Sequence, residues 1–442
     1  IRNKRCSWSI TRENCEHSST SFERDCVRAG DNMKQANDGE RREPKKVKHP
    51  YLYEIDLMRL IFIAGVLLNH TTTAFQHQTS SGLISTGFLA THLMIHFTRM
   101  GFMFMTGLVL TMVYYQRQRN WPLFYKKRFT TVGVPYVLWN TLLLAGSVLL
   151  GVGGFTIANF WPDYLSALLH GDQFYLYYVL VTLQLYLLFP AMLWLFKRTA
   201  GHHIRLVVAS FGVQMLLVIG IKYGLPHVNT SDWLWWFKAY GVNVFTYQFF
   251  FISGGLVSMH YEKVKQWLLA HQVLIGWGAL SLSIGTIGLY VFNKQVLNFG
   301  HNAAVSPHQP YMLIYDVVMI AFVFVLGQRY AVWHTKRPEH WLARLIGHGA
   351  QVSFGVYLCQ TIAISLLGGL LSLGGFSNGM LILLLPIGYI FILAVSFTIA
   401  WLCYRIAPFG WLIGRPQSLS VSSKGVLNHE QTHRSVVSES NK

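Results

Sequence analysis

The chain has 442 residues, 52% of them hydrophobic and only 12% charged, against roughly 25% charged in a soluble domain. Long apolar runs alternate with short basic ones, which excludes an ordinary soluble globule and is the pattern of a polytopic membrane protein. The formal charge of +18 does not mark a nucleic-acid binder, because the Lys and Arg residues are spread over the loops between apolar runs rather than gathered in one patch.

Residues 1–50 are polar, of mixed charge and without apolar periodicity, so they read as a disordered tail. The first methionine is Met33; residues 1–32 are either upstream sequence or part of a genuine tail. The first apolar run is too long for a signal-peptide core and lacks a small-residue cleavage site after it. Cys6, Cys15 and Cys26 lie in this tail and Cys359 and Cys403 in apolar runs, with no spacing that matches a metal site or a disulfide framework.

A spanning helix needs about 20 mostly apolar residues. Ten runs qualify: 55–76, 87–115, 131–150, 174–196, 204–223, 239–259, 269–292, 309–328, 351–372 and 378–404. The expected fold is therefore all-α, with about ten transmembrane helices over 51–408 between the tail 1–50 and a polar tail 409–442. Basic residues set the orientation. Arg117, Arg119, Lys126, Lys127 and Arg128 follow the second run, and Lys197, Arg198, Arg205, Lys263, Lys265, Arg329, Lys336, Arg337 and Arg344 fall in later loops on the same side. Arg405, Arg415 and Lys424 follow the last run. The opposite loops hold only Lys238 and Lys294. Both termini are expected in the cytoplasm of a multi-pass plasma-membrane protein, in contact with membrane lipid.

Ionisable groups inside a membrane are expensive and usually functional. In the first run Arg59 and His70 are eleven residues apart. At ~100° per residue they share one helix face, roughly 16 Å apart along the axis. Singly, Arg59 can snorkel or pair with Asp56, and His70 can be a hydrogen-bonded polar residue of the bundle. Together on one face they suggest an anion held near the cytoplasmic mouth and an imidazole working deeper.

The second run adds His92, His96 and Arg99 on one stripe. An i,i+4 histidine pair can bind a metal, but no acidic or cysteine ligand stands near, so the stripe reads as the polar lining of an outward cavity and no metal is expected. A mid-span arginine needs an anionic or carbonyl partner. Asp316 is the acid well inside the later spans, so an Arg99–Asp316 or His70–Asp316 pair would bring it into the catalytic set. Lys126, Lys127 and Arg128 suit topology and lipid headgroups, and equally the phosphates of a nucleotide-containing donor. Trp233, Trp235 and Trp236 in an outer loop read as interfacial belt residues, with a sugar-binding platform as the alternative.

The spacing Asp56-x-x-Arg59 followed by ten residues and His70 resembles the opening helix of the integral membrane acyltransferase 3 family. FMFMTGLVL, FYKKRFTTVGVPYVLW with Arg128 seven residues before Pro135, FYLYYVLVTLQLYLLFP, FFFISGGLVSMHYEKV and SFGVYLCQT resemble its later helices in order. Many members have His where this chain has Gln360. Gln184 with its aromatic neighbours and the FFFISGG stretch resemble a branch concerned with export or O-acylation of a poly-N-acetylglucosamine adhesin.

The resemblance implies transfer of an acyl group, acetyl by default, from cytoplasmic acyl-CoA (acetyl-CoA) to a hydroxyl of a glycan acceptor across the membrane. His70 would be the general base or acyl-handling residue, Arg59 would help hold the donor, and Arg128 would face the CoA phosphates. His92, His96, Arg99, Gln184 and Gln360 would line the substrate path. Polysaccharide synthase or export partners are expected beside it. The alternative is an exporter or export accessory of such a polysaccharide. Two features stand against it: no GxxxxGK[ST] motif, and no inverted repeat evident in the chain.

Overall fold

The computed structural model describes residues 51–80, 82–116, 120–173 and 175–416. The expected tail 1–50 with Met33, and residues 417–442 of the expected tail 409–442 with Lys424, lie outside the described residues, as do Arg117, Arg119 and Phe174; residues 409–416 of that tail are described, and Phe409–Ile413 forms a 3₁₀ turn. Every regular element among the described residues is helical, so the protein is an all-α polytopic membrane protein. Nine helical segments among them are long and apolar enough to cross a membrane.

Apart from the single turns Trp235–Lys238 and His301–Ala304, the α-helices are α1 (Tyr53–Gln76), α2 (Leu83–Ile95), α3 (Phe97–Tyr114), α4 (Trp121–Arg128), α5 (Val134–Leu150), α6 (Phe160–His170), α7 (Tyr177–Arg198), α8 (His203–Ile219), α9 (Gln248–Met259), α10 (Tyr261–Ala270), α11 (Gln272–Gln295), α12 (Pro310–Lys336), α13 (Trp341–Ser372) and α14 (Asn378–Arg405). Several departures from the expected runs have local causes. The run expected over 87–115 breaks at His96, where the backbone tightens to His96 N→Leu93 O and the Thr98 hydroxyl takes the Ile95 carbonyl at 2.9 Å. The third helical segment begins at Trp121 rather than 131. The Asn120 side chain accepts from Leu123 N at 3.0 Å and Pro122 stands in the first turn, so the basic Lys126–Arg128 stretch is helical. It joins α5 through a π-turn at Phe129–Gly133.

The run expected as a full span over 239–259 is a 3₁₀ turn, Val244–Tyr247, followed by the short α9. Polar groups take its leading carbonyls: Thr246 Oγ1 donates to Tyr240 O at 2.8 Å, Tyr247 Oη to Gly241 O at 2.6 Å and Gln184 Nε2 to Val242 O at 2.9 Å. Side chains that bond the backbone in this way compete with helix.

α1 packs against α2, α3, α12, α13 and α14, which makes it the central helix. Small residues set the closest approaches, as is usual where helices pack in lipid. A Cβ on Gly107 of α3 would lie 2.1 Å from Phe251 O, and one on Gly254 of α9 would lie 1.9 Å from Phe104 O. On the other side, a Cβ on Gly349 of α13 would lie 2.7 Å from Leu60, and Tyr389 Oη of α14 donates to Ala64 O at 2.9 Å. The start of α1 is pinned by a buried relay. Gln328 Nε2 donates to Tyr261 Oη at 2.6 Å, and Tyr261 donates in turn to Glu54 Oε1. Burial, with Glu54 beside it, pushes the Tyr261 phenol up, so it stays a donor.

Candidate acyl-transfer chamber

A chamber of about 450 Å³ lies between α1, α2–α3, α4 with the π-turn after it, α7, α13 and residues 413–415. Arg59, Val66 and His70 reach it from the α1 face that their spacing predicts. At its basic end are Arg59, Lys127, Arg128 and Arg415. The Arg128 guanidinium carbon lies over the rings of Tyr186, Phe124 and Tyr114, 5.4, 5.7 and 6.0 Å from their centroids. Its buried Nε has no hydrogen-bond partner. Aromatic faces hold a cation without neutralising it, so this end keeps its capacity for an anion. Arg415 is placed by a 3₁₀ turn, Phe409–Ile413, anchored by Trp139 Nε1 donating to Leu412 O at 2.8 Å. Gly414 follows at φ 70°, where an L side chain is strained, and an added Cβ would lie 2.0 Å from Thr131 O.

The far end holds His70, Asn69, His96, Arg99 and a set of tyrosines. The His70 ring stacks on Tyr175, centroids 3.6 Å apart. Tyr175 is held by Tyr357 Oη donating to its carbonyl. Neither His70 nitrogen makes a hydrogen bond within the described residues, and neither is sealed from the chamber.

The donors and acceptors around His96 can be assigned in order. Thr73 Oγ1 donates to Asn69 O at 3.0 Å, since a carbonyl only accepts. His92 Nδ1, 2.8 Å from the same hydroxyl, must then donate to it. Neutral His92 therefore presents a bare Nε2, and His96 Nε2–H, 2.9 Å away, donates to that. His96 is left with an Nδ1 lone pair. Asn69 Nδ2 fixes the backbone of His92 by donating to its carbonyl at 2.7 Å.

Arg99 Nη1 donates to Tyr177 Oη at 2.7 Å, and the Arg99 guanidinium carbon lies 5.7 Å from the ring centroids of Tyr177 and Tyr247. Its Nε is unpartnered. Asp316 is 1% exposed and lies off the chamber wall. No ion pair within 4.0 Å joins it to Arg99 or His70 among the described residues, and its Oδ1 has no partner.

The chamber thus gathers Arg59, His70, His96, Arg99, Lys127 and Arg128 of the residues expected to work together. His92 stands behind His96. Lys126 is exposed and off the wall. Gln184 is occupied elsewhere: Nε2 bonds Val242 O, and Oε1 accepts from Trp236 Nε1 at 3.1 Å. That contact draws Trp236 into the bundle, while Trp235 packs on His170 at 4.2 Å. Gln360 is fully buried, off the wall, with neither amide atom partnered. Among the described residues no group of three His, Cys, Asp or Glu is placed to hold a metal ion. The sequence reading missed Asn69, Tyr175, Tyr177, Tyr357 and Arg415. The tyrosines carried one signal, their crowding at 175–178, but interfacial tyrosine is ordinary in membrane helices.

Comparison with known proteins adds one match. A family model described as an acyltransferase domain, that of acyltransferase 3, matches residues 52–405. No curated protein and no solved structure matches the chain.

Proposed function

The chain belongs to the acyltransferase 3 family and is a membrane acyltransferase; from this and the chamber we propose that it moves an acyl group from acyl-CoA to a hydroxyl of a cell-surface or exported glycan. One observation carries the reading: a single chamber joins an imidazole with unengaged nitrogens, His70, to a cluster of cations at its opposite end. We place the basic end at the cytoplasmic face of the plasma membrane, following the distribution of Lys and Arg.

The basic end fits the phosphates of a nucleotide-containing donor. Arg59, Lys127, Arg128 and Arg415 converge there, and Arg128 retains an unpartnered buried N–H. Guanidinium groups are the usual partners of phosphate. From this end toward His70 the wall is largely uncharged, with Val66, Phe102, Met105 and Val109, which suits an extended neutral arm carrying a thioester. Arg59 and His70 are roughly 16 Å apart along α1.

At His70 the imidazole takes the proton of the acceptor hydroxyl as its oxygen attacks the thioester carbonyl. The new C–O ester bond forms, the C–S bond breaks, and the departing thiolate recovers the proton from the imidazolium. A hydroxyl is a poor nucleophile until a base near neutrality assists it, help worth about 10²–10⁴ in rate. Tyr175 holds the ring in place. Asp316 lies off the chamber wall and takes no part in this scheme. A poly-N-acetylglucosamine acceptor rests on the sequence resemblance around Gln184 and FFFISGG. The chamber volume falls in the range of small-molecule sites, about 300–1,000 Å³, which favours transfer over a path for a polymer.

The test is release of free CoA thiol from acetyl-CoA by membranes carrying the chain. Continuous release that rises on adding an acceptor glycan supports the proposal. Release no greater than in membranes lacking the chain contradicts it.

A further inference from the structure

A second cavity, about 250 Å³, lies apart from the chamber, where α8 ends. α8 runs into a π-turn, Gly220–Gly224, and the turn carries Lys222. Such turns insert a residue into a helix and often mark functional positions. Lys222 is 3% exposed, yet it carries a cationic side chain in a segment long and apolar enough to cross a membrane. Its Nζ donates to Ala303 O at 2.5 Å and lies 4.5 Å from the centroid of the Phe299 ring. No carboxylate of the described residues lies within 4.0 Å of it. A carbonyl and an aromatic face both favour the charged ammonium, and neither cancels its charge. A buried charge left without a counter-charge is unfavourable.

The cavity supplies what such a charge lacks. Lys222 lines it with Tyr240, Asn302 and Ser306 and with the apolar Leu225 and Pro226. An ammonium has three N–H donors. One is used on Ala303, and the hydroxyl of Ser306 and the amide of Asn302 stand on the same cavity as further donors. Ser306 is held in place, its Oγ accepting from His308 N at 3.3 Å. The set is rich in donors and contains no carboxylate, so it selects one anionic group with several acceptor oxygens. The volume suits a headgroup-sized fragment.

We infer that the cavity beneath Lys222 is an anion site that binds a single phosphate group, with Lys222 as its counter-charge and Ser306 and Asn302 as hydrogen-bond donors. An anionic lipid headgroup and a free phosphate present the same chemistry, and the two are separable by experiment.

The test measures the thermal unfolding midpoint of the full-length protein with two probes. One is phosphatidylglycerol, added to phosphatidylcholine nanodiscs. The other is inorganic phosphate, added in neutral detergent at matched ionic strength. A ligand that binds only the folded state raises its midpoint. The wild type is expected to rise by several degrees with at least one probe, and Lys222→Gln with neither, while Lys222→Arg keeps part of the rise. A response to phosphatidylglycerol alone identifies a lipid headgroup as the occupant; a response to phosphate as well identifies a free anion. Asn302→Asp covers the case in which Lys222→Gln fails to fold. Residue 302 is exposed, and the new carboxylate meets the ligand's charge at the rim, so this variant is expected to lose most of the rise. No rise in the wild type with either probe overturns the inference. So does an equal rise in Lys222→Gln, or an undiminished one in Asn302→Asp.

Discussion

The imidazole of His70 lies against the ring of Tyr175, centroids 3.6 Å apart and planes tilted by 32°. The two residues come from different elements: His70 from the central helix and Tyr175 from the segment before α7. Tyr357 of α13 holds Tyr175 by its carbonyl. Three segments therefore determine where one ring sits. A ring so held needs no hydrogen bond of its own, which leaves both nitrogens for chemistry.

Tyr175→Ala removes the stacking partner while leaving the helices. Transfer is expected to fall by roughly 10²-fold, the order of loss that follows misplacement of a reacting group. Tyr175→Phe keeps the ring and is expected to stay within a few-fold of wild type. Initial rates for the two variants, beside their unfolding midpoints, separate orientation from folding.

Arg128 faces the basic end of the chamber and Lys126 does not. Losing a charge-assisted contact costs about 1.5–3 kcal/mol, so Arg128→Gln is expected to raise KM for acyl-CoA roughly 10–100-fold with little change in kcat. Lys126→Gln, on an exposed residue off the wall, is expected to leave both constants near wild type. Steady-state kinetics with varied donor tests the pair. Equal effects from the two substitutions would show that the cluster acts only as diffuse charge.

His92 stands behind His96 and fixes which nitrogen of that ring carries the proton. His92→Phe retains an aromatic ring and removes the acceptor. Loss of such a supporting partner typically costs 10–100-fold where the supported group matters. The expected result is a fall of about that size in kcat with the donor KM preserved. A change in KM alone would assign the pair to donor binding.

Gly107 and Gly254 let α3 and α9 meet backbone to backbone. Gly254→Ala would place a Cβ 1.9 Å from Phe104 O, and overpacking of this kind costs about 1–3 kcal/mol or more. A lowered unfolding midpoint and a poorer folded yield are expected. Gly146→Ala, where nothing lies within 4 Å, is the control and is expected to unfold like wild type.

Much of this arrangement is legible in one dimension, because an α-helix converts spacing into direction. The eleven residues between Arg59 and His70 put both on one face, and both line the chamber. The same rule aligns His96 with Arg99. What depends on packing between distant segments is not legible in this way. Arg415 reaches the basic end only because residues 409–413 turn back onto Trp139. Asp316 is buried off the chamber wall without an ion pair to Arg99, a placement set by how α12 packs in the bundle. Gln184 reads as a substrate contact in a helical stripe, but its amide is spent on the loop bearing Trp236 and Val242. The run over 239–259 has the composition of a span, yet Gln184, Thr246 and Tyr247 claim its first carbonyls and shorten it.

The most direct measurement is acyl transfer from radiolabelled acetyl-CoA in inverted membrane vesicles carrying the chain, with His70→Ala beside the wild type. Label entering glycan in the wild type, and falling by about 10²–10⁴ in the variant at equal protein level, is the predicted result. Label transfer that survives His70→Ala at the wild-type rate would contradict a central role for His70.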